Sequence, residues 1–129
     1  MARTTFDIAL GILWLEGHVW VQKRKGTGHL DGFWEFPGGK VEGSESPVDA
    51  AIREVGEETG LALGPEQLQY LDTHSFEYPE RSVVLHCFLC RLPADPELRG
   101  GMWISVLELN RLKMPPANQI VIEKLKGLS

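Results

Sequence analysis

The sequence predicts a mixed α/β domain, and three observations carry that reading. They are a long apolar run near the start, a helix punctuated at both ends, and two alternating segments joined by a proline turn. The run Phe6-Asp7-Ile8-Ala9-Leu10-Gly11-Ile12-Leu13-Trp14-Leu15 is almost continuously apolar, the pattern of a strand buried on both faces. Glu16-Gly17-His18 offers a turn, and Val19-Trp20-Val21-Gln22-Lys23 returns as the second arm of a hairpin. From Arg24 to Phe36 the periodicity is lost, and Pro37-Gly38-Gly39 argues against regular structure, so this stretch reads as a loop at a working surface.

The helix should span Pro47 to Thr59. Ser46 suits the N-cap, Pro47 the first helical position, Asp49 the reciprocal capping position, and Gly60 the left-handed residue after the end. Val48, Ala51, Ile52 and Val55 recur at the spacing of a buried stripe, which leaves Glu54, Glu57 and Glu58 on another face. After Gly64-Pro65, segments near Leu68 to Tyr78 and Ser82 to Leu92 alternate as two antiparallel strands around Pro79-Glu80-Arg81. Met102 to Val106 reads as a last strand, and Pro115-Pro116 precedes a terminal helix with Ile120, Val121, Lys124 and Leu125 on its inner face. The sum is a mostly antiparallel or mixed sheet flanked by at least two helices, one domain over residues 1–129.

Composition narrows the function classes. A chain of 129 residues with 43% hydrophobic and 24% charged residues suits one soluble core. No apolar stretch approaches the roughly 20 residues of a membrane span, and the first residues lack a secretory pattern, which points to the cytoplasm and away from a membrane partner. A net charge of −5 disfavours binding to a nucleic-acid polymer, whereas a small nucleotide escorted by divalent cations meets no such objection. Oligomeric state is left at monomer or homodimer. Cys87 and Cys90 lie three apart in a strand, hence on opposite faces and roughly 10 Å apart, too far for a disulfide, so they read as buried thiols.

The acidic cluster carries the chemistry. Glu54 neighbours both Glu57 and Glu58 on the helix surface, close to the negative end of the helix dipole. At about 4 Å and an effective dielectric near 20, each such repulsion is worth up to roughly 4 kcal/mol. A divalent cation relieves it, and hard oxygen ligands select Mg²⁺, with Mn²⁺ as an alternative, usually together with substrate phosphates. The bland reading is a solvated acidic face.

Read together, Gly39, Glu45 and Arg53-Glu54-Val55-Gly56-Glu57-Glu58-Thr59-Gly60-Leu61 reproduce the Nudix box at every fixed position. A chance match is on the order of one in 10⁸ per window. Trp34-Glu35-Phe36-Pro37-Gly38-Gly39-Lys40-Val41-Glu42 and Pro115-Pro116-Ala117-Asn118 extend the resemblance to the MutT-like branch of that family. The resemblance implies a Nudix-type mixed β-sheet in an α/β/α sandwich. It also implies a Mg²⁺-dependent pyrophosphohydrolase acting on a nucleoside triphosphate, with 8-oxo-dGTP as first candidate, in the service of nucleotide-pool sanitation. CTP or dCTP hydrolysis and a non-catalytic nucleotide- or damaged-base-binding domain are the alternatives.

By position, the resemblance makes the Gly38 carbonyl and the carboxylates of Glu54, Glu57 and Glu58 metal ligands, with Glu97 a further ligand or base and Glu54 the first candidate base. Glu97 could equally be a solvated loop acid. Glu45 and Arg53 resemble a pair that orients loop and helix. Arg24 and His29 resemble phosphate and sugar contacts, Glu35, Phe36, Pro37 and Gly38 a wall of the nucleotide site, and Asn118 the amide that reads a purine edge. For Asn118 the alternative is an N-cap of the terminal helix. Tyr78 resembles a residue near the base pocket. No Gly-x-Ser-x-Gly elbow or Walker loop competes with this chemistry.

Overall fold

A strand buried on both faces needs a layer on each side, and β1 (Thr4–Leu15) has both. The computed structural model describes residues 4–24 and 32–128. Its strands are β1, β2 (His18–Lys23), β3 (Trp34–Glu35), β4 (Gly38–Lys40), β5 (Gln69–Glu77), β6 (Arg81–Arg91) and β7 (Gly101–Ser105). They form one sheet in the order β3-β2-β1-β6-β5, with β4 on β1 and β7 on β2. The two helices, α1 (Pro47–Thr59) and α2 (Gln119–Lys126), cover opposite faces.

β1 runs parallel to β6 from the Thr4–Arg81 pair to the Trp14–Arg91 pair. Its other edge is divided: β2 pairs there only at Trp14–Val19 and Leu15–His18, while β4 pairs at Ile8 to Leu10. The expected hairpin is therefore short. Its second arm peels away to pair with β3 on one side and β7 on the other, and the Gly11 amide donates to the Pro37 carbonyl (2.9 Å) across the fork.

Two segments read as loop are short strands. Trp34–Glu35 pairs with β2, and Gly38–Lys40 pairs with β1 on either side of Pro37, which falls between ladders where its missing N–H costs no bond. The parallel β1–β6 ladder joins segments far apart in the chain, which no local pattern reveals.

Alternation along β1 separates two cores. Leu10, Ile12 and Trp14 face α2 with Cys87, Leu89, Val121, Ile122 and Leu125, whereas Leu13 faces α1 with Val55, Leu63 and Cys90. Cys87 and Cys90 are both free and buried, and burial pushes the Cys87 thiol up to about 12, so neither is a thiolate nucleophile. In α2 the buried residues are Val121, Ile122 and Leu125; Ile120 is exposed, which rotates the inner face relative to the sequence reading.

The limits of α1 are those the punctuation predicts. Ser46 Oγ accepts from the Asp49 amide (3.2 Å), and Gly60 closes the helix at φ 84°, a conformation that disfavours any side chain. Ala50, Ala51, Val55 and Thr59 are fully buried, while Val48 and Ile52 are only partly so. This turns the helix so that Glu54 and Glu58 flank the buried stripe and lean on the sheet. No described helix is long and apolar enough to cross a membrane.

Candidate active site

The acidic face of α1 divides into two settings. On its outer side Arg53 grips Glu45 with two bonds of 2.8 Å, reaches Glu57 at 3.2 Å and Glu54 at 3.3 Å, and donates to the Lys40 carbonyl at 3.1 Å. Hydrogen bonding to Arg53 lowers the Glu45 carboxyl to about 2, and the same bonds raise Arg53. The pair ties the loop after β4 to the helix, the orienting role expected of it.

On the inner side the side chain of Glu54 is 15% exposed, against 58% for Glu57. Gly39 makes this approach feasible, because a Cβ there would overlap the Glu54 carboxylate. One oxygen of Glu58 accepts from the Gly38 amide (3.0 Å) and from Gln22 Nε2 (2.6 Å). Burial pushes Glu58 up to about 7; its two donors oppose the shift, and the charges of Glu54 and Glu35 add to it. Glu54 is raised too, first by burial, with the Glu57 charge adding, and its carboxyl lies within hydrogen-bonding reach of Glu58.

A cleft of about 290 Å³ opens beside these groups, lined by Gln22, Lys23, Glu35, Glu58 and Gly100. Arg24 Nη1 bonds Glu35 Oε1 at 2.9 Å, and burial raises Glu35 despite that contact. The Arg24 backbone amide donates to the Phe33 carbonyl (2.6 Å), and its carbonyl accepts from the Gly32 amide (3.1 Å).

Asn118 lies on the α2 side of the sheet, 5% exposed. It occupies the N-cap position of α2, yet its side chain makes no capping bond, and its backbone amide donates to the Pro115 carbonyl (2.9 Å). The capping alternative fails. Its side-chain amide, with no hydrogen bond found among the described residues, can both donate and accept and so suits a polar ligand.

Of the residues singled out in the sequence, Arg24, Glu35, Gly38, Glu54, Glu57 and Glu58 gather around the cleft and the helix shoulder. Phe36 does not form an open wall: it is 1% exposed and packs in the α2-side core, and Pro37 is buried beside it. Glu97 is exposed at φ 60° in the loop before β7, its amide bonded to Asp95 Oδ1 (2.9 Å), and Gly100 of the same loop lines the cleft. His29 lies outside the described residues. Gln22 was missed, although one signal was present: an amide in a strand whose preceding residues are all apolar.

Can these residues take a divalent cation? Among the described residues no three acidic side chains already stand in coordinating geometry, because Glu57 is turned to Arg53. The donor set nonetheless fits. Two crowded, partly desolvated carboxyls press on a glycine backbone, the setting in which a hard cation offsets the crowded negative charge.

A NUDIX domain family model matches residues 5–125. The chain belongs to the Nudix family. It is 36% identical over 127 residues to an 8-oxo-dGTP diphosphatase of Escherichia coli, spanning 95% of this chain and 97% of that one. It is 29% identical over 127 residues to a CTP pyrophosphohydrolase of the same organism, spanning 95% and 92%. A MutT Nudix hydrolase from Burkholderia pseudomallei shares the fold with a TM-score of 0.82 at 23% identity, over 95% of this chain and 98% of that one. The α+β architecture is thus that of Nudix hydrolases, and the chain is a Nudix pyrophosphohydrolase.

Proposed function

We propose that residues 1–129 act as one Nudix domain that hydrolyses 8-oxo-dGTP to 8-oxo-dGMP and pyrophosphate. The observation that carries the phosphate chemistry is the pair of crowded carboxyls, Glu54 and Glu58, held beside a cleft that also takes in Lys23 and, through Glu35, Arg24. The choice of base is supported by the open amide of buried Asn118 and by the named activity of the Escherichia coli relative.

In this reading the Gly38 carbonyl, Glu54, Glu57 and Glu58 hold Mg²⁺ or Mn²⁺. Bound there, the cation neutralises phosphate oxygens and acidifies a water. Water attacks the β-phosphorus, the bond to the α–β bridging oxygen breaks, and the monophosphate leaves. Glu54 takes the proton from the attacking water. Gln22 and the Gly38 amide hold one Glu58 oxygen, leaving the other for the site. Lys23 and Arg24 meet the polyphosphate charge. Glu97, in the loop whose Gly100 lines the same cleft, is the second candidate base.

A second reading, CTP or dCTP hydrolysis, is favoured by the relative of that name. Pyrophosphate release with Mg²⁺ separates the two across a panel of 8-oxo-dGTP, dGTP, dCTP, CTP and a nucleoside diphosphate sugar. The proposal expects 8-oxo-dGTP to lead. A preference over dGTP of less than about tenfold in kcat/KM, roughly 1.4 kcal/mol, rejects it.

A further inference from the structure

Asn118 can read a base only if the short turn that carries it is held still, and that turn lacks the usual means of anchorage. It is a 3₁₀ turn over Pro116–Asn118 whose flanking Pro115 supplies no capping side chain. Pro115 and Pro116 have no N–H, so the Ala117 amide is the first donor the turn presents, and Ala117 is buried. A buried amide without an acceptor is costly, and the turn would rotate to recover one.

The acceptor comes from a segment distant in sequence but packed in the same core. Tyr78 Oη accepts from the Ala117 amide at 3.1 Å, across 39 residues of sequence. Tyr78 is itself well fixed: its amide donates to the Arg81 carbonyl (2.7 Å) at the β5–β6 turn, its ring lies 4.9 Å from that of Phe76, and the residue is 8% exposed. Burial raises the phenol, which therefore stays a neutral hydroxyl. A rigid hairpin thus substitutes for the missing cap, and the next residue after the anchored amide is Asn118.

We propose that Tyr78 is a specificity-determining positioning residue, whose phenol oxygen anchors the Pro116–Asn118 turn and so presents the Asn118 amide to the substrate base. The inference rests on the reading of Asn118 as the base contact. Phenylalanine would keep the ring in the core and remove the hydroxyl that accepts from Ala117.

The test is steady-state hydrolysis of 8-oxo-dGTP and dGTP by the wild type, Tyr78→Phe, Asn118→Ala and the double variant, with hydrogen exchange at the Ala117 amide followed by NMR. With 8-oxo-dGTP as substrate, loss of one buried hydrogen bond should weaken apparent binding, raising KM about tenfold with a much smaller change in kcat. Preference over dGTP should fall in parallel, Ala117 exchange should quicken, and the double variant should be no worse than Asn118→Ala, since both act through one contact. Equal losses in kcat on both substrates, or losses that add in the double variant, overturn the positioning role. Unchanged preference in Asn118→Ala, where Tyr78 is intact, instead overturns the base reading and takes this inference with it.

Discussion

Glu45, just before α1, and Glu58, in its last turn, carry the same side chain, and the fold treats them oppositely. Glu45 meets the fork of Arg53 and is held near 2; Glu58 meets the flank of the sheet, two neutral donors and two further carboxyls, and is pushed to about 7. In the outer cluster one guanidinium holds Glu45 with two bonds and also reaches Glu57 and Glu54. The inner pair is left short of positive charge beside an open cleft, as expected where a cation and a polyphosphate complete the balance. Structural and chemical acids are thus told apart by what surrounds them, not by their place in the motif.

The largest effect should come from breaking the inner side. Glu54→Gln keeps volume and removes the proton acceptor, so kcat with Mg²⁺ should fall on the order of 10³-fold while the melting temperature holds. Near-normal turnover would refute the role of Glu54. Breaking the outer side should cost less, because Arg53 touches no substrate in this reading. Arg53→Ala frees the loop after β4 and leaves Glu54 and Glu57 unopposed, and kcat/KM should drop about 10²-fold through misplacement. A loss as large as that of Glu54→Gln would mean that Arg53 meets the reacting atoms.

The smallest effect sharpens the contrast through pH. Glu58 is raised from 4.5 to about 7, so the folded metal-free protein binds more protons than the unfolded chain between those values, and stability falls as pH rises through that window. Glu45 is lowered from 4.5 to about 2, so its contribution is present above 4.5 and lost as pH falls toward 2. From these two groups, melts of chelator-treated protein should peak near pH 4.5 and decline toward neutrality by a few degrees. Glu58→Gln should flatten the neutral side of that curve, and saturating Mg²⁺ should reverse the decline. A profile indifferent to both would show that Glu58 is not strained in the free protein.

What is local in the chain was legible before any coordinates. Ser46, Pro47 and Gly60 bound α1 through contacts made within one or two turns, and the strands around Pro79-Glu80-Arg81 follow from alternation and a breaker. The 3.6-residue repeat likewise places Glu54, Glu57 and Glu58 on neighbouring rows of one helix, so the chemistry of the site could be argued from spacing. The same repeat did not decide how far the helix is rotated, because Val48 and Ile52 suit a buried stripe as well as Ala50 and Thr59 do.

Tertiary structure decided the rest, since it depends on segments that meet only after the chain has folded. The parallel β1–β6 ladder, the fork that brings Gly38 and Gly39 under α1, and the choice of Gln22 as partner to Glu58 have no signature in any single window. Nor does the bond from Ala117 to Tyr78, which spans 39 residues. Sequence by itself established which groups the protein owns and which helix carries them. Which carboxyl is matched and which is left wanting a cation was decided by burial and partner supply, and these are properties of packing between distant segments.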